Sequence, residues 1–414
     1  MLGSGIYGLI GQAAGLAGNA VWLAFIVAMV AALLTALSYA SLGSRYPRAG
    51  GAAYVTERAF GMPMLSFLVG LTVVASGMTS IATQSQVFAV NFASITGMAN
   101  LPVWAIAIGF LMILTGLVLR GISEAMWVNV VFTLIEAGGL LLVIAVGIPH
   151  WGSVDLLATP SVPGNDAMIV LVFQGAVLTF FAFIGFEDIL NVAEEVRDPQ
   201  TNLPLALITA MVIGASIYVA VAITSVSVVP WQELAVAPGP LTEVMRRAAP
   251  AIPVFVFAGI TLFAVANTAL VNYVTSSRMV YGMARQGLLP ARLGKISTRT
   301  QSPWLATIIL LIVLVPLAFF GSIALLASAS VLTLLVVFAI VNGALFILQG
   351  RQGEAKGKFE VPRLIPASGA AICLVLITLR LTGGDWQAPA LAGGMLAAMI
   401  ALYLLSERVK AHMQ

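Results

Sequence analysis

The chain has 414 residues, of which 60% are hydrophobic and 8% charged, with a mean hydropathy of +1.05 and a formal net charge of +3. Soluble domains carry about 25% charged residues, so a water-soluble globule is excluded and the chain belongs in a bilayer. The apolar runs are continuous over about 18–25 residues, which excludes a barrel of alternating ten-residue strands and makes the spans helical.

In chain order, apolar segments fall near residues 1–15, 20–42, 64–94, 101–119, 124–147, 167–196, 203–229, 251–283, 303–320, 322–349, 363–381 and 387–406. This predicts an all-α integral membrane protein of about twelve transmembrane segments in a single domain, 1–414. Segment 1, "MLGSGIYGLIGQAAG", places glycines at 3, 5, 8 and 11. Gly3 to Gly15 makes about 20 Å of helix against a hydrocarbon core of about 30 Å, so this segment cannot span alone. The favoured reading is an N-terminally truncated first helix, its front half lost through a wrong start codon; the other is a re-entrant segment. Glycine weakens a helix by about 1 kcal/mol relative to alanine, so "GSGIYG" suits unwinding, with close packing through small residues as the plainer alternative.

Segment 3 carries Gln84, Gln86 and Asn91, expected to hydrogen-bond between helices. Segment 5 carries an acid, Glu136, in "VNVVFTLIEAGGLL". An intramembrane acid faces a partner or a cavity, and segment 8 offers Asn272 and Ser276, spaced i,i+4 on one face. Glu136, Asn272 and Ser276 are therefore the expected coupling group, holding a proton or a cation; the alternative is a neutral Glu136 that only ties helices 5 and 8 together.

Segment 6, "LTFFAFIGFEDILNVAEEVRDP", begins as a membrane helix and then shows Glu187 and Asp188 at mid-membrane depth. Unwinding at 182–185 and restarting near Phe186 would put both acids in the first turn of a new half-helix, where they complement its dipole and unpaired amides. Glu194 and Glu195, further along, read either as an ion-paired gate or as a solvated helix end.

Alternating the segments puts 16 of the 19 Lys and Arg on one side, with Arg246, Arg247 and Arg380 opposite. The crowded side is expected to be cytoplasmic, with both termini on it. The lone Cys373 excludes disulfides, and His150 and His412 are too isolated to suggest a metal; no cofactor, no metal and no nucleic-acid partner are expected.

Interruptions in segments 1 and 6 lie five segments apart, as a five-plus-five inverted repeat requires. The amides of one break suit a carboxylate and the carbonyls of the other an ammonium, which together fit an amino acid. At this point "GSGIYG", "RYPRAGGAAYVTERAFG", "FFAFIGFED" with "AEEVRDPQTNLPLAL", and "NTALVNYVTSSRMVYGMARQGLLP" resemble the amino acid-polyamine-organocation superfamily over nearly the whole chain. The resemblance implies a LeuT-like fold with broken helices 1 and 6: a first repeat over 1–147, a second over 167–349, and peripheral helices 11 and 12 over 363–406. It implies that backbone groups of Gly3, Ser4 and Gly5, with the Ser4 hydroxyl, hold the substrate carboxylate, that carbonyls of Phe181 and Ala182 hold its amine and that Ile184 lines the side-chain pocket, with Ile6 and Phe183 also counted among the substrate-binding residues. Phe181, Glu194 and Glu195 would gate. Relatives often have a lysine where this chain has Glu136, so the charge there is reversed.

The expected function is secondary active transport of amino acids by alternating access, as a symporter coupled to H+ in preference to Na+. The plasma (inner) membrane is the expected location. The alternatives are an exchanger of amino acids and amines or polyamines, in which Asp188 meets a second ammonium, or a channel. Filter loops or charged rings for a channel, and clustered catalytic side chains for an enzyme, are not visible.

Overall fold

The computed structural model describes residues 4–47, 51–98, 101–161, 168–190, 196–320, 323–382 and 386–413. They fold as helices, numbered here in chain order. The first half contains α1 (Ser4–Ala17), α2 (Val21–Arg45), α3 (Gly51–Phe60), α4 (Pro63–Thr96), α5 (Val103–Arg120) and α6 (Ile122–Gly147). Then come α7 (Met168–Thr179), α8 (Pro199–Val228), α9 (Trp231–Val236), α10 (Pro240–Ala248), α11 (Val254–Arg285), α12 (Trp304–Phe320), α13 (Ile323–Gly350), α14 (Leu364–Thr382) and α15 (Gln387–Met413).

Among the described residues, ten stretches are long and apolar enough to cross a bilayer. The first, Gly5–Arg45, holds both α1 and α2, and Trp304–Phe319 is a shorter apolar helix, so the twelve segments read from hydropathy all appear as helices. Three short helices were not anticipated. α3 lies in the polar stretch after α2, and α9 and α10 form a hairpin between α8 and α11.

Helix boundaries follow local chemistry. Pro63 and Pro199 sit in the first turns of α4 and α8, where a missing N–H costs nothing. α4 ends on Gly97 at φ 69°, a left-handed cap. The α1–α2 joint is a 3-10 turn, Gly18–Ala20, in which Gly18 has φ 65° and a Cβ would lie 2.6 Å from the Ala158 carbonyl oxygen. The same strand of loop accepts the Asn19 N–H at Ala158 (2.8 Å), the Asn19 Nδ2 at Asp155 (2.9 Å) and the Trp22 Nε1 at Leu156 (3.0 Å).

Two cores form. The larger draws on α1, α2, α7, α8, α13 and α14, with Phe25, Tyr39, Phe183, Phe186, Tyr218 and Phe338 at its centre. The smaller joins α4, α5, α11 and α12 around Phe67, Phe110, Tyr273 and Met283. Large apolar side chains such as Ile113, Trp127, Leu134 and Leu364 point outward, as a lipid-facing surface requires. The candidate site lies on the seam between the cores.

Candidate functional site

Segment 6 is interrupted. The α7 ladder stops at Thr179 and gives way to a 3-10 turn over Phe180–Phe183. Ile184 is then extended at ψ 143°, and Gly185 takes φ 113°, a conformation that side-chain-bearing residues rarely adopt. A second short 3-10 turn covers 187–190. Breaking the ladder leaves amides and carbonyls to satisfy, and Glu187 answers part of that need, its Oε2 accepting the Gly185 N–H at 2.8 Å while the side chain stays buried. Thr179 ties the end of α7 to α2 by donating to the Ala24 carbonyl at 3.1 Å.

Aromatic packing fixes the interruption from both sides. Phe183 meets Tyr218 and Phe25 with ring centroids 5.4 and 6.4 Å away, and Phe186 meets Phe338 and Tyr39 at 5.0 and 5.6 Å. Such pairs add about 0.5–1.5 kcal/mol each beyond area burial. The turn is therefore held in place by its neighbours as well as by its own bonds.

The head of α1 abuts this turn. A Cβ on Gly5 would lie 2.5 Å from the Ala182 Cα and 3.0 Å from its nitrogen, so only glycine permits the approach. Ile6 is fully buried beside it. Residues 4–6 and 181–184 are thus brought to one place, with no wide hollow between Gly5 and Ala182. Ser4 opens α1, its side chain lying outside the description, and Gly3 lies outside the described residues altogether.

Beside the turn runs a narrow cleft, lined by Ile184, Glu187 and Asp188 on one wall and by Ser76, Gly77 and Ser80 of α4 and Asn272, Thr275 and Ser276 of α11 on the other. Its free interior is about the size of one water molecule. Asn272 Nδ2 donates to Ser80 Oγ at 2.9 Å, so this wall is cross-linked by a hydrogen bond. The sequence pointed to Ile184, Glu187, Asp188, Asn272 and Ser276 but the reading missed Ser76, Ser80 and Thr275. The signal was available: Ser76 and Ser80 share the i,i+4 spacing of Asn272 and Ser276, and Gly77 lets the two helices meet there.

Glu136 lies elsewhere. It is fully buried, and α11 meets it with Asn267, whose Nδ2 is 3.5 Å from Glu136 Oε2 and 3.0 Å from Thr133 Oγ1. Asn129 donates to Asn267 Oδ1 at 2.9 Å, and the Tyr7 hydroxyl donates to the Glu136 carbonyl at 2.9 Å. Glu136 Oε1 has no partner among the described residues. Asn272 is five residues, about 140° of helix, beyond Asn267 and turns toward α4 instead. The expected trio of Glu136, Asn272 and Ser276 is therefore split between two sites.

Phe181 is buried in the turn, and Phe183 points into the larger core, away from the cleft. Glu194 and Glu195 lie outside the described residues. Of the segment 3 amides, Gln86 reaches the Ala318 carbonyl of α12 at 2.9 Å, whereas Asn91 bonds within its own helix.

An interrupted helix facing the head of another inside an all-helical membrane protein is the architecture of a transporter. A family model described as amino acid permease matches residues 1–405, and the chain belongs to that family, with its membrane-embedded LeuT-like fold. Of the two expected breaks, helix 6 is interrupted at 180–185, whereas α1 is continuous from Ser4 onward, its glycines serving close packing instead of unwinding. Among curated relatives, the chain is 28% identical to a methylthioribose transporter of Bacillus subtilis, over 93% of this chain and 86% of the relative. It is 27% identical to a branched-chain amino acid permease of the same organism, over 91% and 84%. An uncharacterized transporter of Mycobacterium tuberculosis is 32% identical over 91% of this chain and 82% of its own length.

Proposed function

We propose that this protein carries amino acids across the plasma membrane by alternating access, with the zwitterion held between the head of α1 and the turn at 180–184. The observation that carries the reading is the apposition of Gly5 and Ala182. Amides of Ser4, Gly5 and Ile6 at a helix start suit a carboxylate, and carbonyls of Phe181 and Ala182 released by the broken ladder suit an ammonium. Ile184, on the cleft wall, would meet the substrate side chain, and Phe181 would close the path on the outer side. Gly3, Glu194 and Glu195 keep the roles that the family resemblance gives them. In this reading the inverted repeats span 1–147 and 167–349, helices over 363–406 pack outside, and the Lys- and Arg-rich face is cytoplasmic. No enzymatic step is involved.

Glu136 is the proposed coupling group, with H+ favoured over Na+. An ionised carboxylate with one oxygen unsatisfied in a low-dielectric interior costs several kcal/mol, so the arrangement suits a group that gains and loses a proton during the cycle. Among the described residues Tyr7 and Asn267 face it, and neither neutralises it. Counterflow into liposomes with a panel of amino acids and amines tests the substrate class: exchange of amino acids supports the reading, and no exchange with any of them sinks it. Glu136→Gln, compared with the natural chain across pH and with and without Na+, tests coupling; an unchanged pH and ion dependence removes Glu136 from that role.

A second reading, exchange of amines or polyamines, is favoured by one feature. Glu187 and Asp188 both line the cleft, where a second ammonium would be drawn. Counterflow of diamines stronger than that of neutral amino acids would select it.

A further inference from the structure

The polar stretch 351–363, between α13 and α14, folds across the Lys- and Arg-rich face and grips three other elements. Glu354 is its most heavily bonded residue, with 9% of its side chain exposed. It accepts from the Tyr46 hydroxyl at 2.7 Å and from Arg58 Nε at 2.9 Å, and Arg351 lies 3.7 Å away. Arg351 in turn donates to the carbonyls of Arg58 and Ala59 at the end of α3, at 2.9 Å each. Six residues on, Glu360 pairs with the buried Arg45 at 2.6 Å and accepts the Gly357 N–H at 2.7 Å. Ser44 accepts the Phe359 N–H at 3.0 Å and donates to the Gln200 carbonyl at 2.9 Å, while Lys358 meets Asp198 at 3.2 Å.

These bonds fall on two sides of the cleft. α3 and α13 pack against α4, which forms one wall. On the other side, α2 packs on α8, on α7 and on the turn at 180–183 that leads into Ile184, Glu187 and Asp188 of the opposite wall, and Asp198, beside the start of α8, lies ten residues beyond Asp188. We propose that 351–363 is a strap that holds this face of the transporter shut, with Glu354 and Glu360 as its gate residues. To open the cleft toward this face, the strap must release Ser44, Arg45, Tyr46 and the 198–200 turn while keeping its hold on Arg58 and Ala59 of α3. This rests on the transport reading of the cleft.

Isolated surface ion pairs contribute little, but a carboxylate shielded from water that gathers several donors acts as one unit. Glu354 is held below its ordinary value of 4.5, first by the Tyr46 hydrogen bond and then by Arg58 and Arg351. Asp198 is lowered too, by hydrogen bonds from Thr201 and Lys358. Both therefore remain charged at neutral pH, and the strap is closed there.

The test uses a disulfide across the strap. A Cβ built on Gly357 lies 2.9 Å from the Ser44 Cβ, so a shift of about 1 Å gives the roughly 3.8 Å that a disulfide needs. In a Cys373→Ser background, free of other cysteines, Ser44→Cys with Gly357→Cys is oxidised in proteoliposomes. Uptake of a radiolabelled mixture of the standard amino acids is then measured before and after reduction. The strap predicts at least a tenfold loss on oxidation, recovered by reductant, with each single cysteine variant indifferent to oxidant. Failure of the pair to cross-link, or full uptake by the cross-linked protein, overturns it. A reporter gives an independent reading: Met279→Cys, on the cleft wall, should react several-fold faster with a water-soluble maleimide when Glu354→Gln and Glu360→Gln are added, and an unchanged rate also overturns it. If the reduced protein takes up no amino acid, the transport reading has failed, and the labelling rate still judges the strap.

Discussion

Two stretches meet at the site, one with glycines at 3, 5, 8 and 11 and one with the single Gly185, and glycine acts differently in each. In α1, Gly5, Gly8 and Gly11 sit in continuous helix from Ser4 onward, and what they supply is nearness: Gly5 admits Ala182, and Gly11 admits the Leu234 carbonyl of the α9 turn. In segment 6, Gly185 supplies a conformation, its φ of 113° turning the chain away from the path of α7. The first use shows in sequence as a small-residue repeat; the second shows as a glycine beside buried acids. An interruption therefore needs a means of satisfying what it exposes, and Glu187 on the Gly185 N–H is that means.

The comparison can be broken or sharpened by substitution. The largest effect is expected at Gly5→Val, whose side chain would collide with the Ala182 backbone; transport should fall more than a hundredfold, and near-normal uptake would show that α1 and the turn need not touch. Gly185→Ala comes next. Strain of about 1–3 kcal/mol should lower the melting temperature and cut uptake at least tenfold, and an unchanged melting curve would mean that the turn tolerates another backbone path. Asn272→Ala should cost about 1 kcal/mol by removing the bond to Ser80, measured as a small loss of thermal stability with uptake reduced but present. Smallest is Gly8→Ala, whose new methyl would meet Val87 at an ordinary 3.5 Å; stability should stay within about 0.5 kcal/mol, and a large loss would mean that α1 is packed more tightly there than the distances say.

A pH series reads the α9–α10 hairpin separately. Glu243 is held below its ordinary value of 4.5, first by the Arg246 hydrogen bond and then by that from Arg247, which also pairs with Glu233. A depressed carboxylate stabilises above its ordinary value and loses that contribution as pH falls through the lowered one. Melting temperature should thus respond to Glu243→Gln at neutral pH, where the charge is present, and the difference should shrink as pH falls below 4.5 through the lowered value.

Much of the fold was legible because hydropathy and helix length are one-dimensional signals: all twelve segments stand where their apolar runs put them. The break in segment 6 was legible because Glu187 and Asp188 are intolerable in an intact membrane helix. What could not be read was helix rotation. Asn267 and Asn272 are both plausible partners for Glu136 in sequence, and only the packing of α6 on α11 selects Asn267. The proposed strap was equally hidden, since the partners of 351–363 lie as far as 315 residues away.

The joint at Gly18–Ala20 gives the site its mechanical advantage. Three hydrogen bonds pin that corner to the 155–158 loop, so α1 is fixed at its far end while its head rests against Ala182. From Gly18 to Ser4 the lever is about 21 Å long, and a tilt of about 10° at the pivot would carry Gly5 some 3–4 Å, about the diameter of an ammonium group. In the proposed transport cycle, a small rotation at this elbow would be enough to make or erase the space a substrate needs.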